Sequence, residues 1–171
     1  MSKLDLISDA VKKDLERCLE KYPEDKKRSA VVETLLQLQK QNGGYLTEDL
    51  MLAAAEFLNL QPIQVYEIAT FYDMYELKLI GKHKISICTN VSCMLAGSDQ
   101  VVAQFEKRLG IKLGESTEDG LFTLREVECL ASCVDAPVCQ VDNERYIENL
   151  NAEKVDALID ACKEGRYDDF S

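Results

Sequence analysis

Up to Gly81 the apolar residues of this chain recur at helical spacing; beyond it they alternate. Leu4, Ile7, Val11, Leu15 and Leu19 step along one face, which predicts a single amphipathic helix ending before Pro23. A second helix carries Val31, Leu35 and Leu38 inward and stops at Gly43-Gly44. Thr47 can cap a third, with Glu48 and Asp49 at the favourable end of the dipole and Leu50, Ala54, Phe57 and Leu58 as its stripe. Pro62 suits the opening of a fourth, Ile63 to Tyr75, which ends in Phe71, Tyr72 and Tyr75. Burial preference assigns those aromatics to internal packing, although Tyr66, Phe71 and Tyr72 are also candidates to face a partner.

After Gly81, Ile85 and Ile87 alternate with polar neighbours in a short strand, KISIC, that delivers Cys88 at its end and leaves Cys93 on the following loop. Ser98 is a candidate cap for a helix with Val101, Val102, Phe105 and Leu109 inward, stopped by Gly110. Asp119-Gly120 precedes a second strand, Phe122 to Val127, that delivers Cys129. Val138 to Val141 and Arg145 to Ile147 flank Asp142-Asn143-Glu144 as a hairpin, and a last helix with Val155, Leu158, Ile159 and Cys162 inward ends before Gly165. Tyr167 to Ser171 are expected to fray. The reading is an α/β chain in two domains: helices over 1–81, then a small thioredoxin-like sheet with packed helices over 82–171. A right-handed crossover between the first two strands makes them parallel, which brings both cysteine loops to one edge.

The 31 acidic residues outnumber the 20 basic ones, for a net charge of −11, which opposes attraction to nucleic acid or anionic lipid. No stretch has the apolar length of a membrane span, and the opening MSKLDLISDAVKKDLER mixes acids with bases, unlike a targeting peptide. A soluble protein made in the cytosol is expected, unless a presequence has been removed.

Seven cysteines without a secretory signal point to a reducing compartment, where paired thiols serve metals or redox chemistry. Four form two tight pairs, Cys88-x4-Cys93 and Cys129-x3-Cys133. Thiolates are the soft ligands an iron-sulfur cluster requires, and four complete the coordination of a [2Fe-2S] rhomb. Neither pair has the C-x2-C spacing commonest in zinc sites or in redox dithiols, although a zinc-stabilised adaptor and a dithiol enzyme remain rival classes. A Rieske centre needs two histidines, and His83 is the chain's one histidine. Flanked by Lys82 and Lys84, it reads as a solvated loop residue. Cys18, Cys139 and Cys162 lie among apolar residues and read as small core fillers.

Four segments resemble one family: EIATFYDMY (67–75), ISICTNVSCMLAGSD (85–99), KRLGIKLGE (107–115) and LFTLREVECLASCVDAPVCQVD (121–142). Together they are similar to the 24-kDa subunit of NADH:quinone oxidoreductase, a family of thioredoxin-like [2Fe-2S] ferredoxins with a helical N-terminal domain. The resemblance implies that Cys88, Cys93, Cys129 and Cys133 hold one [2Fe-2S] cluster of the N1a type. It implies single-electron exchange with the FMN of an adjacent, NADH-binding 51-kDa-type subunit, and a further iron-sulfur subunit in the same complex. It also implies a peripheral position on the cytoplasmic face of the inner membrane, or the matrix side after loss of a presequence. No substrate-converting site is expected on this chain alone. Relatives of the same kind serve NAD-reducing hydrogenases and formate dehydrogenases as diaphorase subunits, which is the alternative context. Docking is assigned to the helical domain as a whole.

The chain departs from the family pattern C-L-G-x-C, having Ala131 and Ser132 where glycine and a variable residue stand; alanine restricts torsions that glycine permits. Ser132 could donate toward sulfur or bond nearby backbone. Glu126, Glu128 and Asp135 flank the second pair and favour a low reduction potential. Pro137 sits where thioredoxin-like folds often carry a proline of either isomer.

Overall fold

The computed structural model describes residues 2–166; the segment expected to fray lies outside the described residues. The chain divides into two compact units, Met1–Leu79 and Ile80–Ser171.

The first unit is helical. Its four α-helices are α1 (Asp9–Leu19), α2 (Val31–Gln41), α3 (Glu48–Leu58) and α4 (Pro62–Phe71). The helix expected from Leu4 to Leu19 is broken at Ser8, whose extended backbone and side chain, accepting from the Val11 amide, start α1 afresh after a short 3-10 turn. Thr47 caps α3 as read, accepting from the Leu50 amide at 3.2 Å. Leu15, Val31, Leu35, Leu38, Leu50, Ala54, Leu58 and Val65 form the buried seam. Helix α4 ends earlier than expected, because Tyr72 adopts extended backbone. The assignment of its aromatics to packing is corrected: Phe71 is 76% exposed and Tyr66 and Tyr72 are exposed, while Tyr75 is buried and donates its hydroxyl to the Val32 carbonyl at 2.9 Å. A buried phenol must find its partner within the protein, whereas an exposed one can bond water.

The second unit is a four-stranded sheet, ordered β2-β1-β3-β4, built from β1 (His83–Cys88), β2 (Phe122–Val127), β3 (Cys139–Val141) and β4 (Arg145–Ile147). Strand β1 is parallel to β2 and antiparallel to β3, and β3 is antiparallel to β4. Between β1 and β2 lie α5 (Val91–Leu95) and α6 (Ser98–Leu109); α7 (Ala152–Lys163) follows β4. Ile85, Ile87, Phe105, Leu124, Val141, Leu158 and Ile159 fill the core, joined by Cys139 and Cys162. Two local expectations are corrected. Ser98 is fully buried inside α6 and Gly97, with φ of 101°, takes the cap position that only glycine adopts without strain. His83 is a buried strand residue rather than a solvated one, with Nδ1 2.9 Å from Asp142 Oδ2. Asp142 and Asn143 turn the hairpin with φ of 56° and 60°, and this turn swings the Asp142 carboxylate back onto β1, where its other oxygen accepts from the Lys84 amide at 2.7 Å.

Entry into the sheet depends on a close approach at Gly81. Its amide donates to Thr123 Oγ1 at 2.7 Å, and an added Cβ would stand 2.7 Å from the Phe122 backbone nitrogen and carbonyl carbon. Gly81→Ala should therefore force the start of β1 away from β2 and destabilise the chain by about 2 kcal/mol, measured by chemical denaturation.

Candidate metal centre

The parallel register pairs Cys88 with Val127, so β1 and β2 finish side by side. Cys88 is the last residue of β1, and Cys129 follows two positions after the end of β2. Their loops therefore leave the sheet together at its carboxyl edge. Cys93, expected on a loop, instead lies on the short helix α5, and Cys133 opens a 3-10 turn. Cys88 and Cys93 are buried with Val138; Cys129 and Cys133 are exposed.

The sulfurs are grouped in pairs. Cys129 Sγ and Cys133 Sγ stand 3.6 Å apart. That is far longer than a disulfide and close to the separation, about 3.8 Å, of two sulfurs bound at about 2.3 Å to one tetrahedral metal. Burial raises the Cys93 thiol above its ordinary value, reinforced by its hydrogen bond with Cys88 and by the charge of Cys88 and Cys133, while the Val138 amide pulls the other way. Among the described residues, no three histidine, cysteine or carboxylate side chains are gathered into a ready-made metal site. Four thiols in two pairs at the ends of neighbouring strands fit the two-ligands-per-iron demand of a [2Fe-2S] core, whose positive irons offset the cost of assembling thiolates.

Backbone geometry supplies donors to that sulfur set. Ala131 has φ of 62°, the left-handed region, and its amide lies 3.3 Å from Cys129 Sγ. The alanine standing where the family has glycine thus keeps the torsion glycine would adopt, at a cost of about 1 kcal/mol. Ser132 donates neither to sulfur nor to backbone but to Glu148 Oε1 at 2.5 Å. Next to it, the Asn149 amide donates to the Asp135 carbonyl at 2.7 Å and the Leu150 amide to the Pro137 carbonyl at 2.9 Å, after a cis Ala136-Pro137 bond. Residues 148–150 therefore strap the whole second cysteine loop.

Sequence reasoning missed this strap and the links between the two loops. Thr89 donates to Glu126 Oε1 and Asn90 to Glu128 Oε2, each at 2.7 Å. Asn90 could have been read as a cap, since it directly precedes an apolar turn; its Oδ1 accepts from the Val91 amide at 2.9 Å. Also missed was an apolar collar beside the ligand loops: Val91, Met94, Leu95 and Val134 are exposed, Val134 almost completely. Cys139 and Cys162 stay apart from the four, in the core, where burial raises both thiols, Cys162 to about 12.

In the metal-free chain, alkylation by iodoacetamide at pH 8 should modify Cys129 and Cys133 first and leave Cys139 and Cys162 protonated and untouched, as read by peptide mass spectrometry. Replacing Ala131 by glycine should stabilise the chain by roughly 0.5–1 kcal/mol, opposite in sign to an alanine-to-glycine change in a helix, as measured by denaturation.

The chain is similar to known proteins. Residues 15–163 match the family model of the thioredoxin-like [2Fe-2S] ferredoxin. The chain is 48% identical over 145 residues to a subunit of NADH-quinone oxidoreductase from Rickettsia felis, covering 85% of this chain and 86% of that one. It is 40% identical over 153 residues to the corresponding NADH-quinone oxidoreductase subunit from Rhizobium meliloti, covering 90% and 89%. Among solved structures it is similar to an air-oxidised NAD+-reducing [NiFe]-hydrogenase, with a TM-score of 0.65 and 21% identity over 77% of this chain and 23% of that one, a likeness of fold. The family model over most of the chain and the sequence similarity show that this chain belongs to the thioredoxin-like [2Fe-2S] ferredoxin family, beside subunits of NADH-quinone oxidoreductase.

Proposed function

We propose that this chain is an electron-transfer subunit of an NADH-quinone oxidoreductase, in which Cys88, Cys93, Cys129 and Cys133 hold a [2Fe-2S] cluster of the N1a type. The observation that supports the reading is the parallel register that ends β1 at Cys88 beside Val127, two residues before Cys129. A bound cluster supplies one-electron storage and transfer without bond making to substrate. Its partner is the flavin- and NADH-binding subunit, with a further iron-sulfur subunit in the same assembly. FMN and NADH belong to that partner.

The protein's own residues provide position, donors and field. The buried pair, Cys88 and Cys93, anchors the inner side of the centre in the sheet, and the exposed pair faces outward, where an electron must pass. Amides of Ala131 and Val138 direct partial positive charge at Cys129 and Cys93 and raise the potential, while Glu126, Glu128 and Asp135 lower it. The apolar collar of Val91, Met94, Leu95 and Val134 excludes water once a partner covers it, which strengthens both effects. Docking by the helical unit is part of the same reading, and its exposed Ile63, Tyr66 and Phe71 support it. Among the described residues no helix is long and apolar enough to cross a membrane, which suits a peripheral subunit on the cytoplasmic or matrix face. The diaphorase alternative shares the fold at 21% identity, against 40–48% for the respiratory relatives, and the respiratory reading is preferred.

Anaerobic reconstitution of the full chain should yield about two iron and two sulfide per chain and a reduced-state EPR signal. Cys129→Ser combined with Cys133→Ser should abolish the visible absorption; retained colour with unchanged spectra would overturn the ligand assignment. Glu128→Gln should raise the reduction potential by on the order of tens of millivolts in a redox titration, because a negative charge beside the thiolates is removed.

A further inference from the structure

The two cysteine loops belong to different segments of chain, and something must hold them at a fixed spacing before and after metal is present. Strand pairing does so only as far as Cys88 and Val127. Beyond that point the Thr89 amide reaches the Val127 carbonyl at a stretched 3.4 Å, and side chains take over. Asn90 occupies the junction. Its Oδ1 accepts from the Val91 amide at 2.9 Å, so it starts the helix that carries Cys93; its Nδ2 donates to Glu128 Oε2 at 2.7 Å, and Glu128 immediately precedes Cys129.

We propose that Asn90 and Glu128 form the positioning pair of the cluster: one amide fixes the helix bearing Cys93 and, through the Glu128 carboxylate, the start of the loop bearing Cys129 and Cys133. The inference rests on the reading that these four cysteines hold a [2Fe-2S] cluster. The bond joins a neutral donor to an ionised acceptor, the stronger class of hydrogen bond, and it spans 38 residues of sequence. Breaking it leaves the Thr89–Glu126 bond as the other side-chain link between the loops and loosens the helix bearing Cys93 from the loop bearing Cys129, so cluster loss accelerates whichever partner is changed. A field effect alone behaves otherwise, because Asn90→Asp adds a negative charge and Glu128→Gln removes one.

The test uses the reconstituted full chain, with three readouts: the rate of cluster loss to a chelator, the reduction potential and the g-values of the reduced state. Asn90→Asp and Glu128→Gln should each speed loss by roughly fivefold, the factor that one ordinary, solvent-exposed hydrogen bond carries. Their potentials should move in opposite directions. The double variant swaps donor and acceptor at unchanged net charge, with the glutamine amide donating to the new carboxylate, and should restore loss rate, potential and g-values together. Asn90→Ser retains a helix cap but cannot bridge to Glu128, and it should lose cluster as fast as the other single variants. If Asn90→Ser holds its cluster like the parent, or the double variant loses it faster than either single one, the positioning role is refuted while the cluster assignment stands. If the parent chain takes up no iron and sulfide, the assignment itself fails and the positioning role falls with it.

Discussion

Everything at the candidate centre depends on the parallel pairing of β1 with β2. Because parallel strands point the same way, the residues that leave them emerge at one edge, and two cysteine loops separated by a whole crossover become neighbours. An antiparallel arrangement of the same segments would put the pairs at opposite ends of the sheet. The pairing is held by burial: all six residues of β1 are inaccessible, including the polar Lys84 and Ser86, since β1 is a central strand between β2 and β3.

Around that edge the backbone does most of the chemistry. Sulfur is a weak acceptor, and the donors aimed at it are main-chain amides, whose placement is a matter of torsion rather than of side-chain identity. Ala131 illustrates the point. A residue with a methyl group occupies a left-handed conformation usually left to glycine, and the loop accepts that strain because the strap through Glu148, Asn149 and Leu150 and the bond to Cys129 hold it there.

The surface near the cysteines combines an apolar collar with carboxylates. Water and protein differ in how they treat such a surface: exposed, the charges are screened and the apolar groups are costly; covered, the apolar groups are satisfied and the charges act at longer range. A centre whose outward pair is exposed is thus incomplete as an isolated chain, consistent with a subunit that functions in an assembly.

Much of this was legible in the order of residues. Helical periodicity before Gly81, alternation after it, caps at Thr47, stops at Gly110 and Gly165, and the spacing of the cysteine pairs are local signals, and local signals survive in a linear text. What the sequence could not carry is contact across distance. His83 looked solvated between two lysines because its partner Asp142 lies 59 residues away on a hairpin that folds back over β1. Phe71 and Tyr72 looked buried because apolar rings favour burial, but α4 turns Val65 and Ala69 inward and ends at Phe71, leaving both rings exposed. Asn90 and Glu128 are ordinary polar residues until the parallel sheet brings their loops within hydrogen-bond range. The sequence by itself determined which cysteines are candidates for a metal and that a strand leads into each pair; the tertiary structure alone decided that those strands lie side by side and that Cys93 sits on a helix, because register and turn conformation set distances that no local pattern encodes.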